Sequence, residues 1–361
     1  MLWSATPFSA SSRLDRRSFL QSTSLAAAAL WASRAEGVVF QSPKLSDSPF
    51  KLGVASGDPT ASGFVIWTRL APKPLEGGGM PMEAVEVAWE VADDELFSKV
   101  VKQGKTTATP DWAHSVHVEV EGLASDRWYF YRFHAAGEAS PVGRARTFPA
   151  ADAKSERLRF AFASCQHYET GFFTAYDHML RDDLDVVAHL GDYIYEGKAT
   201  EGKVRKHNSV EIDSLLDYRN RHALYKGDPF LQAAHQRFPW IVTWDDHEVD
   251  NNYAGAISEQ PSVKPEALLA RRARAYQAYY EHIPLRRSAI PHGPDMRLYR
   301  KVSFGPLADF YVLDTRQFRT DQPNGDGLKD PGTAALDPNA TILGDEQERW
   351  LIDGLGASKA R

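Results

Sequence analysis

The stretch VVAHLGDYIYEG, Val186–Gly197, changes character halfway along. Its first half is an apolar run that predicts a buried β-strand, and the run ends at Gly191. A carboxylate, Asp192, and two phenols, Tyr193 and Tyr195, follow directly. Polar side chains just beyond the carboxyl end of a strand lie where α/β sheets bind their ligands. The stretch therefore predicts an α/β sheet with a functional site at its edge.

Strands and helical segments alternate on both sides of this stretch. Predicted strands are RLRFAFASC (157–165), DVVAHLGD (185–192), WIVTWDD (240–246) and two strands within RKVSFGPLADFYVLDTRQF (300–318) around Gly305. Predicted helices are GFFTAYDHMLRD (171–182), PFLQAAHQRF (229–238) and PEALLARRARAYQAYYEHI (265–283). The order is βαβαβ, which is typical of an α/β domain, and we place it at residues 155–361.

Residues 50–149 have a different pattern of apolar and polar residues. Short runs alternate apolar and polar residues between Gly, Pro, Asp and Ser clusters, as in GFVIWTRL (63–70), VEVAWEVA (85–92), SVHVEVEGL (115–123), WYFYRF (128–133) and ARTF (145–148). This pattern predicts an antiparallel β-sandwich domain. Leu123 followed by Tyr129 resembles the tyrosine corner of fibronectin-type sandwiches.

Composition narrows the classes of function. The 361 residues, 43% hydrophobic and 25% charged, favour a globular protein of two packed units. A net charge of −6 from 42 basic and 48 acidic residues provides no polycationic face, which argues against a nucleic-acid partner. Cys165 is the single cysteine, so no intrachain disulfide can form.

The amino terminus predicts export. Arg16 and Arg17 precede an apolar stretch from Leu25 to Ala32, and small residues around Arg34 follow. This order resembles a twin-arginine signal over residues 1–35, read by the machinery that carries folded proteins, and residues 36–49 would be a linker. The apolar stretch is too short for a membrane anchor. We therefore expect a periplasmic, secreted or cell-wall protein, and weigh this above a frayed alanine-rich helix.

The predicted strand ends carry the residues from which a site would be built. They are Cys165, Asp192, the run Asp245–Asp246–His247, and Asp314. Carboxylates gathered in one crevice repel each other unless a cation holds them together. Cys165 and Tyr195 add anionic donors that suit a transition ion, so we expect iron at one position and calcium, zinc or manganese at an oxygen-rich neighbour.

Each residue also has a plainer explanation. A lone cysteine is commonly a small buried hydrophobe, tyrosines pack in cores, Asp192 could cap a helix, and His247 could be a surface imidazole. Taken one at a time these explanations suffice. They do not explain why all of the residues follow strand ends.

Four motifs carry a resemblance to a known family. SCQ, GDYIYEG, WDDHEVDNNY and LDTRQFR, in this order behind a small sandwich, resemble the PhoD alkaline phosphatases and phosphodiesterases of the metallophosphatase superfamily. The resemblance implies an α/β fold, an incomplete metallophosphatase-like αββα sandwich, preceded by a fibronectin/Ig-like β-sandwich. It also implies a ferric ion, Fe3+, held by Cys165, Asp192 and Tyr195, with Asp192 bridging to a calcium ion, Ca2+.

The resemblance also implies roles for the later motifs. Asp245, Asp246 and Asn252 would lie at the calcium and phosphate positions. His247 would contact phosphate, stabilise the transition state or protonate the leaving group. Asp314, counted with the metal ligands, and Arg316, counted with the catalytic residues, would shape the active site.

The implied activity is hydrolysis of phosphate mono- and diesters. Cations neutralise the ester oxygens and lower the pKa of bound water, so a covalent serine is not required. The sequence contains neither a Gly-x-Ser-x-Gly elbow nor a complete phosphate-binding loop, because its one Gly-x-x-x-x-Gly-Lys run, GKATEGK (197–203), is followed by Val204 in place of Ser or Thr.

The sequence departs from the family in one respect. Family members supply a further Asp and His to the iron from a Gly-Asp-x-His motif, which is absent here. We therefore expect a truncated catalytic domain with an open metal site. Two alternatives remain: an exported calcium-binding or adhesion protein without turnover, and a phospholipase-like diesterase.

Overall fold

The structure, a computed structural model, describes residues 45, 47–325 and 328–361. The expected signal, residues 1–35, lies outside the described residues, as does most of the expected linker. The strands are β1 Val54–Gly57, β2 Phe64–Arg69, β3 Val85–Ala92, β4 Val100–Ala108, β5 Ser115–Val120, β6 Trp128–Ala135, β7 Glu138–Ala139, β8 Gly143–Arg146, β9 Phe160–Ala163, β10 Val186–His189, β11 Pro239–Val242, β12 Arg300–Phe304 and β13 Ala308–Val312. The helices are α1 Thr174–Met179, α2 Leu215–Lys226, α3 Pro229–Arg237, α4 Pro265–His282 and α5 Gly344–Ala357.

The predicted β-sandwich is present. Strands β4, β3, β6 and β7 form one antiparallel sheet, with β8 pairing to β6, and it packs on β1, β2 and β5. Alternation along β6 buries Tyr129, Tyr131 and Phe133 in the shared core, as the period of two predicts. The Tyr129 hydroxyl lies 3.1 Å from the backbone nitrogen of Ala124 and 3.2 Å from its carbonyl oxygen. These two contacts form the tyrosine corner that the sequence pattern suggests.

One sheet of the sandwich continues into the α/β region. The six-stranded order is β5-β2-β1-β11-β10-β9, antiparallel from β5 to β1 and parallel from β1 to β9. Ser56 pairs with Pro239, and Gly57 pairs with Trp240. The sheet thus crosses the boundary expected near residue 150, and residues 42–361 form one compact unit. The proposed domain limits stay a prediction.

Helices cover one face of the parallel half of this sheet, and a hairpin covers part of the other. Val187, Trp240 and Val242 pack into the helix-covered core. Ile241 packs with Phe304 of the β12–β13 hairpin, which is a separate two-stranded sheet. The sandwich followed by an α/β layer structure confirms the expected fold class. Because β9, β10 and β11 are parallel, the loops that follow them meet at one edge.

The helices agree with the sequence pattern in two places and differ in three, one of which is the unpredicted helix α5. Helices α3 and α4 begin at the predicted prolines, Pro229 and Pro265, while α1 is shorter than predicted. Helix α2 was not predicted. It begins with a reciprocal cap between Ser214 and Asp217, and it buries polar residues such as His222 in place of an apolar stripe. Without that stripe the sequence carries no helical hydrophobic period.

Several buried histidines are held neutral by the fold. Burial lowers the pKa of His117 to about 4, and the pKa values of His189 and His222 to about 3. Burial lowers the pKa values of His235 and His282 well below the ordinary value of 6.5. As pH falls below about 6.5, these histidines bind protons in the unfolded chain but not in the folded chain. The free energy of unfolding therefore falls.

We therefore expect acid unfolding between about pH 6 and pH 4. Each such histidine removes about 2 kcal/mol between pH 7 and pH 5, and three together approach the whole stability of an ordinary protein. Circular dichroism against pH measures the transition. His222→Phe should move it to lower pH, whereas His178→Gln, at an exposed position, should leave it in place. A flat stability curve down to pH 4 would contradict the expectation.

Candidate metal centre

The loops after β9 and β10 lie side by side at the carboxyl edge of the sheet. The backbone N–H of Cys165 donates to the carbonyl of Gly191 at 3.1 Å, and that of Gln166 donates to the carbonyl of Asp192 at 3.2 Å. These bonds continue the contact between the two strands beyond their ends. They bring the predicted thiol and carboxylate to the same edge.

The backbone at this edge is unusually tight. Gly191 has φ +113°, and a Cβ atom there would lie 2.5 Å from the backbone nitrogen of Asp245. Only glycine therefore lets the loop after β10 approach the loop after β11 this closely. Three predicted site residues that are not glycine, Cys165, Asp192 and Asn252, have φ values of 53°, 54° and 54°. Left-handed backbone at non-glycine residues is costly and concentrates at functional sites.

Three of the predicted residues form a group that could hold a metal ion. Ligand atoms of Asp192, Asp246 and His247 all lie within 4.8 Å of one another. Asp192 Oδ2 accepts a hydrogen bond from the Tyr195 hydroxyl at 2.9 Å, while Asp192 Oδ1 is buried and has no hydrogen-bond partner among the described residues. A buried carboxylate oxygen without a donor is costly, and a cation would satisfy it. The residues present therefore fit a metal ion.

The thiol and the phenol adjoin the same carboxylate. Burial raises the pKa of Tyr195, and the Asp192 charge acts in the same direction. Burial, followed by an added effect of Asp192, also raises the pKa of the Cys165 thiol. Burial raises the pKa of Asp192 itself, and the charge of Asp246 adds to this. Protons are thus retained where anionic donors crowd together, and a bound cation would replace them.

His247 is oriented by a buried glutamate. Its Nδ1 lies 2.7 Å from Glu196 Oε2, and its Nε2 lies 4.0 Å from Asp246 Oδ2. Its ring also contacts that of Tyr195, with the centroids 4.1 Å apart and the planes tilted by 31°. Burial lowers the pKa of His247, but the hydrogen bond and charge of Glu196, with Asp246, raise it to about 9. Nε2 is therefore the nitrogen that faces the metal-binding group.

Arg316 joins the two carboxylates of the WDDHE motif. Its Nε pairs with Asp245 Oδ1, and its Nη2 lies 3.0 Å from Asp246 Oδ1. Asp246 Oδ2 accepts the backbone N–H of Asn252 at 2.7 Å, and the Asn252 side chain reaches Glu259 at 3.2 Å. The structure therefore brings together Asp245, Asp246, Asn252 and Arg316, as the resemblance implies.

Asp314 does not belong to this group. It follows β13 of the hairpin and is fully buried. Its Oδ1 accepts from Trp244 Nε1 and from the backbone N–H groups of Arg316 and Gln317 at 2.9–3.0 Å, and its Oδ2 accepts from Gln317 Nε2 at 3.0 Å. These contacts occupy the carboxylate within its own loop and connect it to Trp244 of the loop after β11. In place of the expected metal-ligand role, we assign Asp314 to shaping the loop that carries Arg316.

Sequence reasoning gave no role to two buried glutamates, Glu196 and Glu248. Glu196 orients the site histidine, and Glu248 accepts backbone N–H groups of Asp192, Tyr193 and Asp245. Burial, with the charge of Asp192, raises the pKa of Glu248 to about 8. Both glutamates stand inside the recognised motifs, which is the signal that could have singled them out.

Two family models match the chain. The model of the PhoD-like phosphatase matches residues 160–361, and that of the N-terminal domain of PhoD-like phosphatases matches residues 33–149. The chain belongs to the PhoD-like phosphatase family. The family thus supports a metal site at the sheet edge where Asp192, Asp246 and His247 meet.

Similar proteins agree with this assignment. Alkaline phosphatase D of Bacillus subtilis (strain 168) is 55% identical over 356 residues, which are 96% of this chain and 61% of that protein. A solved structure titled "Structure of PhoD" is 57% identical with a TM-score of 0.87, covering 88% of this chain and 62% of that one. The chain thus spans about three fifths of their length. Purple acid phosphatase PPD1 from yellow lupin (Lupinus luteus) seeds matches at 13% identity and a TM-score of 0.49 over 84% of this chain and 48% of that one, too distant to support a conclusion.

The carboxylate with the unpartnered oxygen provides a direct test of the metal centre. Asp192→Asn should lower the bound metal per chain by more than about tenfold, because a neutral amide replaces a buried anionic donor. Elemental analysis by mass spectrometry of the purified chain measures this. Asp183→Asn, exposed near the other end of β10, is the matched control and should retain the metal. Equal metal content in both variants would contradict the assignment.

Proposed function

We propose that the chain is the metal-binding part of an exported phosphoesterase that hydrolyses phosphate mono- and diesters. The observation that carries the proposal is that two candidate metal ligands, Asp192 and Asp246, lie at the carboxyl edge of the sheet beside His247, with polar atoms of all three within 4.8 Å of one another. The Bacillus subtilis relative, which is named alkaline phosphatase D, supports the same activity.

For the metals we propose Fe3+ and Ca2+. The donors Cys165, Asp192 and Tyr195 include a thiol and a phenol, which suit a ferric ion, and the oxygen donors Asp245 and Asp246, with Asn252, suit calcium. When bound, such cations neutralise the ester oxygens and lower the pKa of water.

The protein's own groups would handle the proton and the charge. Because His247 donates from Nδ1 to Glu196, its Nε2 remains directed at the site, and a pKa of about 9 keeps that nitrogen protonated at neutral pH. We assign His247 Nε2 to donate a hydrogen bond to the phosphate and its proton to the leaving alkoxide. Arg316 pairs with Asp245 and Asp246 and holds these carboxylates in place.

Export by the twin-arginine route is part of the proposal. Arg16 and Arg17, the apolar run behind them and the small residues after it support this route, which carries proteins already folded. Among the helices of the described residues, none has both the length and the apolar character for a transmembrane segment. A folded metal centre is consistent with a route that exports folded chains.

Turnover of model esters tests the proposed activity. The metal-loaded chain should hydrolyse both a nitrophenyl phosphate monoester and a bis-nitrophenyl diester, faster with added calcium. His247→Gln should lower kcat by about a hundredfold or more, because proton donation is lost. His178→Gln, at an exposed position remote in sequence from the motifs, should not.

The outcomes separate the alternatives. Cleavage of the diester alone would favour a phospholipase-like diesterase. Tight calcium binding without turnover of either ester would favour the exported calcium-binding protein. Wild-type kcat in His247→Gln would remove the proton-donor role assigned to His247.

A further inference from the structure

Glu248 lies behind the metal-binding group rather than in it. It is 1% exposed, and the group that could hold a metal contains its neighbours Asp246 and His247 but not Glu248. A buried carboxyl group of this kind requires an explanation, because removing a polar group from water is costly unless hydrogen-bond partners surround it.

The donors that surround Glu248 are backbone N–H groups of two different loops. Glu248 Oε2 accepts from Asp192 at 3.1 Å and from Asp245 at 2.8 Å, and Oε1 accepts from Tyr193. Asp192 and Tyr193 follow β10, whereas Asp245 follows β11. A single side chain therefore spans the two loops that carry the candidate metal ligands.

The local backbone explains why a carboxylate occupies this position. The strands end before these residues, and Asp192 is left-handed, so its N–H cannot continue the sheet ladder. Three N–H groups converge on one buried point, and only an acceptor with two oxygens and several lone pairs satisfies them together. An amide side chain would present an NH2 group to one of these donors.

We propose that Glu248 is a positioning residue that fixes the distance between the loop of Asp192 and the loop of Asp245 and Asp246, and thereby sets the metal affinity of the site. The inference rests on the metal site of the proposed function. Glu248 acts through backbone groups and touches neither metal nor substrate. Partners of this kind typically change metal affinity by about 10–100-fold when they are replaced.

The test compares two buried glutamates. Glu248→Gln is isosteric and should weaken calcium binding to the metal-stripped full chain by about 10–100-fold in titration calorimetry. It should also speed hydrogen–deuterium exchange in peptides containing Asp192, Tyr193 and Asp245 by about tenfold. Glu169→Gln is the matched control. Glu169 is also 1% exposed, and it accepts the backbone N–H groups of Thr200 at 3.0 Å and His207 at 2.9 Å.

Glu169→Gln should speed hydrogen–deuterium exchange only near Thr200 and His207. Its calcium affinity should equal that of the wild type. Wild-type calcium affinity in a folded Glu248→Gln would overturn the proposal. If that variant does not fold, Glu248→Asp retains the charge but is too short to span both loops, and the same loss of affinity is expected.

The wild-type chain supplies a readout that needs no variant. Bound calcium should slow hydrogen–deuterium exchange at the three amides whose N–H groups donate to Glu248. Exchange at Thr200 and His207 should not change. Equal exchange at the three amides with and without bound calcium would overturn the proposal. If the chain binds no calcium, the proposed metal site fails. In that case the role of Glu248 is tested on the metal-free chain. Fast hydrogen–deuterium exchange at the amides of Asp192, Tyr193 and Asp245 would show that Glu248 does not connect the two loops.

Discussion

Repulsion between carboxylates at one sheet edge is the constraint on which the site depends. Asp192, Asp245 and Asp246 converge there, and the surrounding side chains compensate their charges unequally. Arg316 pairs with the last two, and His247 supplies a positive charge beside Asp192 and Asp246. One oxygen of Asp192 is left without any donor. The protein alone thus neutralises most of the charge, and a cation accounts for the remainder.

The same edge also contains backbone of left-handed geometry. The left-handed residues Cys165, Asp192 and Asn252 each follow or adjoin a loop contact that fixes them, such as the bond from Cys165 to Gly191. Such conformations persist only when surrounding contacts determine them. The accepting side chains, above all those of Asp246 and Glu248, provide those contacts from within the motifs.

The sequence predicted what depends on local pattern. Strand alternation, proline-started helices and the gathering of Cys165, Asp192, Asp246 and His247 follow from periodicity and from motifs. The pairing of β1 with β11 could not be predicted, because register between distant strands leaves no local trace. Helix α2 was missed since it buries polar residues, and the sequence could not show that Asp314 follows a strand of a separate hairpin.

The continuous sheet has a consequence for synthesis. Strand β1 pairs on one side with β11, whose residues lie about 180 positions further along the chain. At ordinary ribosomal rates that partner emerges roughly 10–40 s later, so one edge of the amino-terminal sandwich is exposed during this interval. Unpaired strand edges recruit other chains, and a chaperone that shields nascent polypeptides would find its binding site there. The sandwich therefore completes its hydrogen bonding only after residues 239–242 have left the ribosome.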